Sequence, residues 1–109
     1  MSASFDDFAA LDLRVGRISA VDPFPEARKP AYKLTIDFGT LGTRRSSAQI
    51  TSYAPDELVG RDVVCVLGFA PKRVAGFVSE VLVLGAISAT DGVVLLTPDR
   101  PVEPGAAVS

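Results

Sequence analysis

Lys72 and Arg73 stand side by side between Pro71 and Gly76, and the run that follows, Phe77-Val78-Ser79-Glu80-Val81-Leu82-Val83-Leu84-Gly85, carries a single charge. A rigid proline and a permissive glycine around two cations describe a short loop that holds positive charge at the rim of the strand it feeds. Lys33, Arg45, Ser47 and Gln49 form a second group, alternating with apolar residues in two neighbouring segments. Cations beside hydroxyl and amide groups suit phosphate binding, because charge replaces counterions while short polar side chains reach sugar or exposed base edges. Plainer readings stand beside these. Lys72 and Arg73 also fit a solvated loop, and Lys33 with Arg45 fits ion pairing to Asp37 across a hairpin. Ser79 and Glu80 are weaker candidates: hydrogen-bonded structural use competes, and the acid repels phosphate unless shielded. Arg28-Lys29, ahead of Pro30, serves solubility as readily as ligand contact.

Composition narrows the chemistry further. The chain has no His and one Cys, so a Ser-His-Asp triad, a Cys-His pair, a His-ligated metal and a thiolate zinc site are all excluded. No catalytic residue, metal site or cofactor is expected, and an enzyme built on some other constellation ranks last. Cys65 sits in Val63-Val64-Cys65-Val66-Leu67 and reads as a small core hydrophobe without a basic neighbour to activate it. The net charge of −2 argues against whole-surface attraction to nucleic acid, so any such site must be local. Met1-Ser2-Ala3-Ser4-Phe5-Asp6-Asp7 lacks the pattern of a signal peptide, and no run approaches the roughly 18 apolar residues of a membrane span. Those features predict a cytoplasmic protein with no membrane insertion.

The elements that must position these residues are mostly strands. At 109 residues and 48% hydrophobic content, the chain is expected to form one domain over residues 1–109. Ser4 with Asp7 reads as a capping box for a short helix containing Phe5, Phe8, Ala9 and Leu11, which should bracket a barrel. Apolar parity changes at Gly16, from Leu11, Leu13 and Val15 to Ile18 and Ala20, and predicts a bulge or bend in a long first strand. Tyr32, Leu34, Ile36 and Phe38 alternate with Lys33, Thr35 and Asp37. Past Gly39-Thr40-Leu41-Gly42, a hairpin partner would place Arg45, Ser47 and Gln49 beside Lys33 and Thr35 on one polar face. Pro55 to Gly60 predicts one or two helical turns, residues 62–67 a fourth strand, Gly76 onward a fifth, and Asp91-Gly92 a turn. The expected fold is therefore all-β: an OB-fold, a five-stranded Greek-key barrel with short helices and N- and C-terminal extensions. Val63 to Leu67 and Val81 to Leu84 are apolar at both parities, whereas a barrel interior takes alternate side chains. Val64, Val66, Val81 and Val83 are thus expected to face outward as the seam of a homodimer.

Three separated motifs carry a resemblance over nearly the whole chain: Asp12-Leu13-Arg14-Val15-Gly16-Arg17-Ile18, Ser46-Ser47-Ala48-Gln49-Ile50-Thr51, and Pro71 through Gly85. Together they resemble the tRNA-binding domain family, and within it the CsaA proteins, bacterial homodimers described as export-related, chaperone-like factors. Synthetase-appended members usually carry a Lys-Met-Arg-Gly loop and a Ser-Gln-Gly-Met strand start. This chain has Arg73-Val74-Ala75-Gly76 and Ser79-Glu80-Val81-Leu82, with Gly68 where Asn and Val78 where Lys are common in the family. The resemblance implies tRNA binding and a role as a secretion chaperone for unfolded preproteins alongside the export machinery. In an RNA mode, phosphates would meet Lys33, Arg45, Lys72 and Arg73 while Ser47 and Gln49 supply hydrogen bonds. In a chaperone mode, extended apolar peptide would lie near the dimer seam, with Phe69 and Phe77 as anchors.

Overall fold

Strict apolar alternation in the second strand organises the molecule, which the computed structural model describes over residues 1–109. In chain order the strands are β1 (Leu13–Pro23), β2 (Tyr32–Asp37), β3 (Thr43–Ala48), β4 (Asp62–Val66), β5 (Lys72–Val74), β6 (Phe77–Ser79), β7 (Leu82–Val83), β8 (Gly85–Ser88) and β9 (Gly92–Leu95). Five of them form an antiparallel sheet in the order β3-β2-β1-β4-β7, while β5-β6 and β8-β9 are separate hairpins. The open side of β3 is covered by residues 79–81. The Glu80 N–H donates to the Arg45 carbonyl at 2.7 Å, the Arg45 N–H to Glu80 Oε1 at 2.9 Å, and the Ser46 hydroxyl to the Val81 carbonyl at 2.8 Å. With that seam the sheet curls into a nearly closed OB-like barrel, and the edge of β3 is removed from aberrant pairing.

Leu34, Ile36 and Phe38 from β2 and its end are fully buried, with Ile18, Ile50, Leu58, Val63, Cys65, Val81 and Leu95 completing the core. Gly16 is not the bend that its parity predicts. A Cβ there would lie 2.5 Å from Ile36 Cγ2 and 2.6 Å from Phe38 Cε1, so the glycine lets β1 cross closely over the core. The bulge falls later, as a register shift between Ile18 and Ala20 against β2. After it the core-facing parity moves from Ile18 to Val21, which packs against the core.

Two short helices accompany the barrel. α1 (Phe5–Leu11) has the expected capping box, with Asp7 N–H on Ser4 Oγ and Ser4 N–H on Asp7 Oδ2. It does not bracket the barrel through its side chains: none is buried, and Phe5 is 90% exposed. α2 (Pro55–Leu58) drops Leu58 into the core between β3 and β4. The C-terminal segment lies along the first half of β1, with Gly105 N–H bonding to the Val15 carbonyl at 2.7 Å and Val15 N–H to the Ala106 carbonyl at 2.9 Å. Arg14 and Arg17 add bonds to the carbonyls of Gly105 and Val102.

The outward apolar set differs from expectation by one residue of register. Val81 belongs to the core and Val83 packs against it, so neither faces outward. The pairs Cys65↔Val83 and Val66↔Leu82 explain this: Cys65 is core, hence Val83 shares its inward face and Leu82 shares the outward face with Val64 and Val66. Val66 is itself buried within the monomer, leaving Val64 half-buried and Leu82 exposed. Val94 and Leu96, flanking core residue Leu95, are exposed on the same principle.

Candidate nucleic-acid interface

The β2-β3 register assembles the polar face expected of it. Lys33 lies opposite Ser47 and Thr35 opposite Arg45, so the four side chains share one surface, on the far side of the strands from Leu34, Ile36 and Ser46. Gln49 follows β3 and is exposed.

The β5-β6 hairpin folds against β3 and adds an aromatic floor. The Phe77 ring stands edge-on to Phe24, with centroids 5.5 Å apart and planes at 60°. Lys33 Nζ sits 4.9 Å from the Phe24 centroid and 5.5 Å from that of Phe77, and Arg45 Cζ lies 4.8 Å from Phe77. Both cations are thus held by ring quadrupoles rather than left on free side chains. Phe77, expected as a peptide anchor, is half-buried in this cluster; its aromatic partner is Phe24, not Phe69. Phe69 is 50% exposed in the turn after β4, where Gly68 approaches the end of α1.

Lys72 and Arg73 are not in a loop. They form one arm of the hairpin, with Lys72 paired to Ser79, Arg73 to Val78 and Val74 to Phe77. Alternation therefore puts Lys72 on the face that carries Phe77 and Ser79, and Arg73 on the other with Val78. Both are exposed, and Arg73 Nη1 bonds the Gly76 carbonyl at 3.3 Å across the turn. Ser79 and Glu80 do structural work: Ser79 Oγ accepts the Ser47 N–H at 3.1 Å and Glu80 Oε1 the Arg45 N–H, both across the barrel seam. The Arg45–Asp37 pair does not form. Arg45 Nη2 is instead 3.8 Å from Asp22 Oδ2, a partly exposed contact worth little in water.

Phe24 escaped the sequence reading although the cluster depends on it. Its signal was a lone aromatic between Pro23 and Pro25 in a stretch that otherwise reads as loop, and it is 4% exposed. Elsewhere, burial pushes the Cys65 thiol up to about 12, an inert core group. A hydrogen bond to Asp62, reinforced by that carboxylate's charge, raises Arg17 above its ordinary value. No cluster of three or more His, Cys, Asp or Glu comes together to hold a metal ion. Two surface grooves lie beside α2: one combines Glu57, Asp62 and Asp99 with Arg61 and Arg100, and the other carries Glu57 and Asp91 without a cation. The β2-β3 face sets its cations and polar groups along paired strands, a geometry that suits an extended polymer.

Known proteins resemble this chain in sequence and fold. Residues 13–107 match the family described as "Putative tRNA binding domain". The crystal structure of the chaperone CsaA from Bacillus anthracis is 51% identical, covers 100% of both chains and superposes with a TM-score of 0.93. The CsaA chaperone protein from Picrophilus torridus is 52% identical over 99% of this chain and 100% of its own, also with a TM-score of 0.93. Methionine–tRNA ligase from Thiobacillus denitrificans is 41% identical over 112 residues, which is 96% of this chain. The chain spans about 15% of the length of the methionine–tRNA ligases it matches.

Proposed function

The chain belongs to the tRNA-binding domain family, in its CsaA branch, and from that premise we propose that it is a noncatalytic, homodimeric tRNA-binding protein. The observation that carries the reading is the placement of Lys33 and Arg45 over Phe24 and Phe77 on one barrel face, with Ser47 and Lys72 beside them. Two cations held by aromatic rings lose less side-chain freedom when a phosphate arrives than two free ones would, so a few contacts go further. Lys33, Arg45 and Lys72 are the phosphate contacts of this face, and Arg73, expected with them, lies on the far side of the hairpin. Ser47 and Gln49 supply hydrogen bonds, and Ser79 and Glu80 act by holding β3 rather than by touching ligand.

A second reading, chaperoning of unfolded preproteins for the export machinery, draws on a different feature. Leu82, Val94 and Leu96 are 46%, 40% and 42% exposed, Phe69 is 50% exposed, and apolar surface of this kind suits either a second copy or extended apolar peptide. No helix is long and apolar enough to cross a membrane. Both readings are tested by one pair of titrations across salt concentrations. RNA affinity must fall steeply with salt, because counterions are released, whereas peptide affinity must persist and show a negative heat-capacity change. Total tRNA that fails to bind at low salt refutes the first reading; an apolar peptide that fails to bind at any salt refutes the second.

A further inference from the structure

Charge alone makes the β2-β3 face a weak site. Lys33 and Arg45 are its central cations, but Asp22 Oδ2 lies 3.8 Å from Arg45 Nη2 and faces Lys33 across the β1-β2 register, and Glu80 sits at the Arg45 backbone. Two carboxylates beside two cations leave a local charge near zero, with Lys72 alone adding to it on the same side. A ligand offering only phosphates, as a base-paired duplex does, would gain little here.

The planar groups supply what the charge does not. Arg45 Cζ lies 4.8 Å from the Phe77 centroid, while the Arg45 side chain remains 44% exposed. The guanidinium therefore lies over the ring while part of the group faces solvent. Phe77 is held in turn by its edge contact with Phe24, which is 4% exposed. Ser47 Oγ donates to no protein group and stands beside Lys33, and Gln49 is exposed two residues on. A held guanidinium plane flanked by an ammonium, a hydroxyl and an amide matches an unstacked nucleotide: base on plane, phosphate on Lys33, sugar or base edge on Ser47. A base inside a duplex has both its faces covered by its neighbours and cannot use that plane.

We propose that the Phe24-Phe77-Arg45-Lys33 cluster is a stacking subsite for unpaired nucleotides. The inference rests on the tRNA-binding reading and restricts it: the bound part of a tRNA is a loop or single-stranded end, not a paired stem. Sequence preference at the subsite is low, since every base offers a π-face.

The test uses the full chain with three labelled ligands at one salt concentration: an unstructured oligoribonucleotide, a blunt RNA duplex of equal length, and total tRNA. Each is titrated against wild type, Arg45→Lys and Phe77→Leu. The single strand is expected to bind more tightly than the duplex. Arg45→Lys keeps the charge and removes the plane, so single-strand and tRNA affinity should fall on the order of tenfold with an unchanged salt slope. Phe77→Leu should act in the same direction, and because it could loosen the hairpin, Arg45→Lys is the deciding variant. If tRNA binds wild type and Arg45→Lys equally well, or the duplex binds as tightly as the single strand, the stacking assignment is overturned while the tRNA reading survives. Failure of all three ligands to bind wild type overturns both.

Discussion

On the proposed homodimer, changing Leu82 to Lys should leave a folded monomer, whereas the same change one residue later should destabilise the fold itself. Leu82 faces outward opposite Val66 and is 46% exposed, while Val83 lies opposite Cys65 and packs against the core. Fully burying a leucine is worth about 1.5–3 kcal/mol, so covering the exposed half of Leu82 contributes about 1 kcal/mol, or about 2 kcal/mol over two subunits. Leu82→Ala should therefore weaken dimerisation roughly 30-fold. Leu82→Lys also brings two ammonium groups into the seam, and with several kcal/mol of desolvation partly relieved by snorkelling the total reaches at least about 4 kcal/mol. A micromolar dimer would then dissociate at roughly millimolar concentration, so the variant is monomeric across the usual analytical range. At Val83 the ammonium would enter the barrel instead, leaving an unpaired charge among core side chains. Sedimentation equilibrium gives the assembly state and circular dichroism the fold. A wild type that is monomeric at ten micromolar, or a Leu82→Lys variant that remains dimeric, refutes the seam; a folded Val83→Lys beside an unfolded Leu82→Lys refutes the register.

Two further outcomes follow from the core. Gly16→Ala must displace Ile36 and Phe38, both fully buried, because the new Cβ would lie 2.5 Å and 2.6 Å from their atoms. That overpacking should cost about 1–3 kcal/mol and lower Tm by about 4–8 °C for each kcal/mol; a thermal melt at or above the wild-type midpoint contradicts the close crossing of β1. Cys65 should not react with a thiol reagent at pH 8 until the protein unfolds, since burial raises its pKa from 9.0 to about 12. The folded state favours the neutral thiol, so this contribution is complete below pH 9 and is lost as pH rises toward 12. Stability of the wild type should accordingly fall by about 1.4 kcal/mol per pH unit above that of a Cys65→Ala variant in that window, and parallel pH profiles for the two would contradict it.

The sequence carried β2 and the polar face legibly because alternation there is strict and the facing strand has polar residues at matching parity. Lys33 opposite Ser47 and Thr35 opposite Arg45 follow from that pattern and a hairpin connection. The outward seam departs from expectation where the pattern is degenerate: Val81, Leu82, Val83 and Leu84 are apolar at both parities, so nothing local says which pair faces in. Pairing with β4 decides it, through Cys65. Gly16 misled for a related reason. A parity change along β1 looks like a bend at the glycine, yet the glycine answers to Ile36 and Phe38, and the bulge follows Ile18. Lys72 and Arg73 look like one unit in the sequence because they are adjacent, while strand geometry turns adjacent residues to opposite faces. Phe24 was invisible since its contact with Phe77 spans a sequence distance no local period can report.

The central claim, that tRNA binds through this barrel face, is tested most directly by the salt dependence of tRNA affinity in wild type and in a Lys33→Ala, Arg45→Ala, Lys72→Ala variant. Three cations per subunit on this face, each releasing about 0.7–0.9 counterion on meeting a phosphate, predict a slope of log K against log salt of roughly −2 to −3. With all three removed, the slope should flatten toward zero and the affinity should drop sharply at low salt. A variant that stays folded and binds tRNA with wild-type affinity and slope would contradict the claim and place the RNA elsewhere on the molecule.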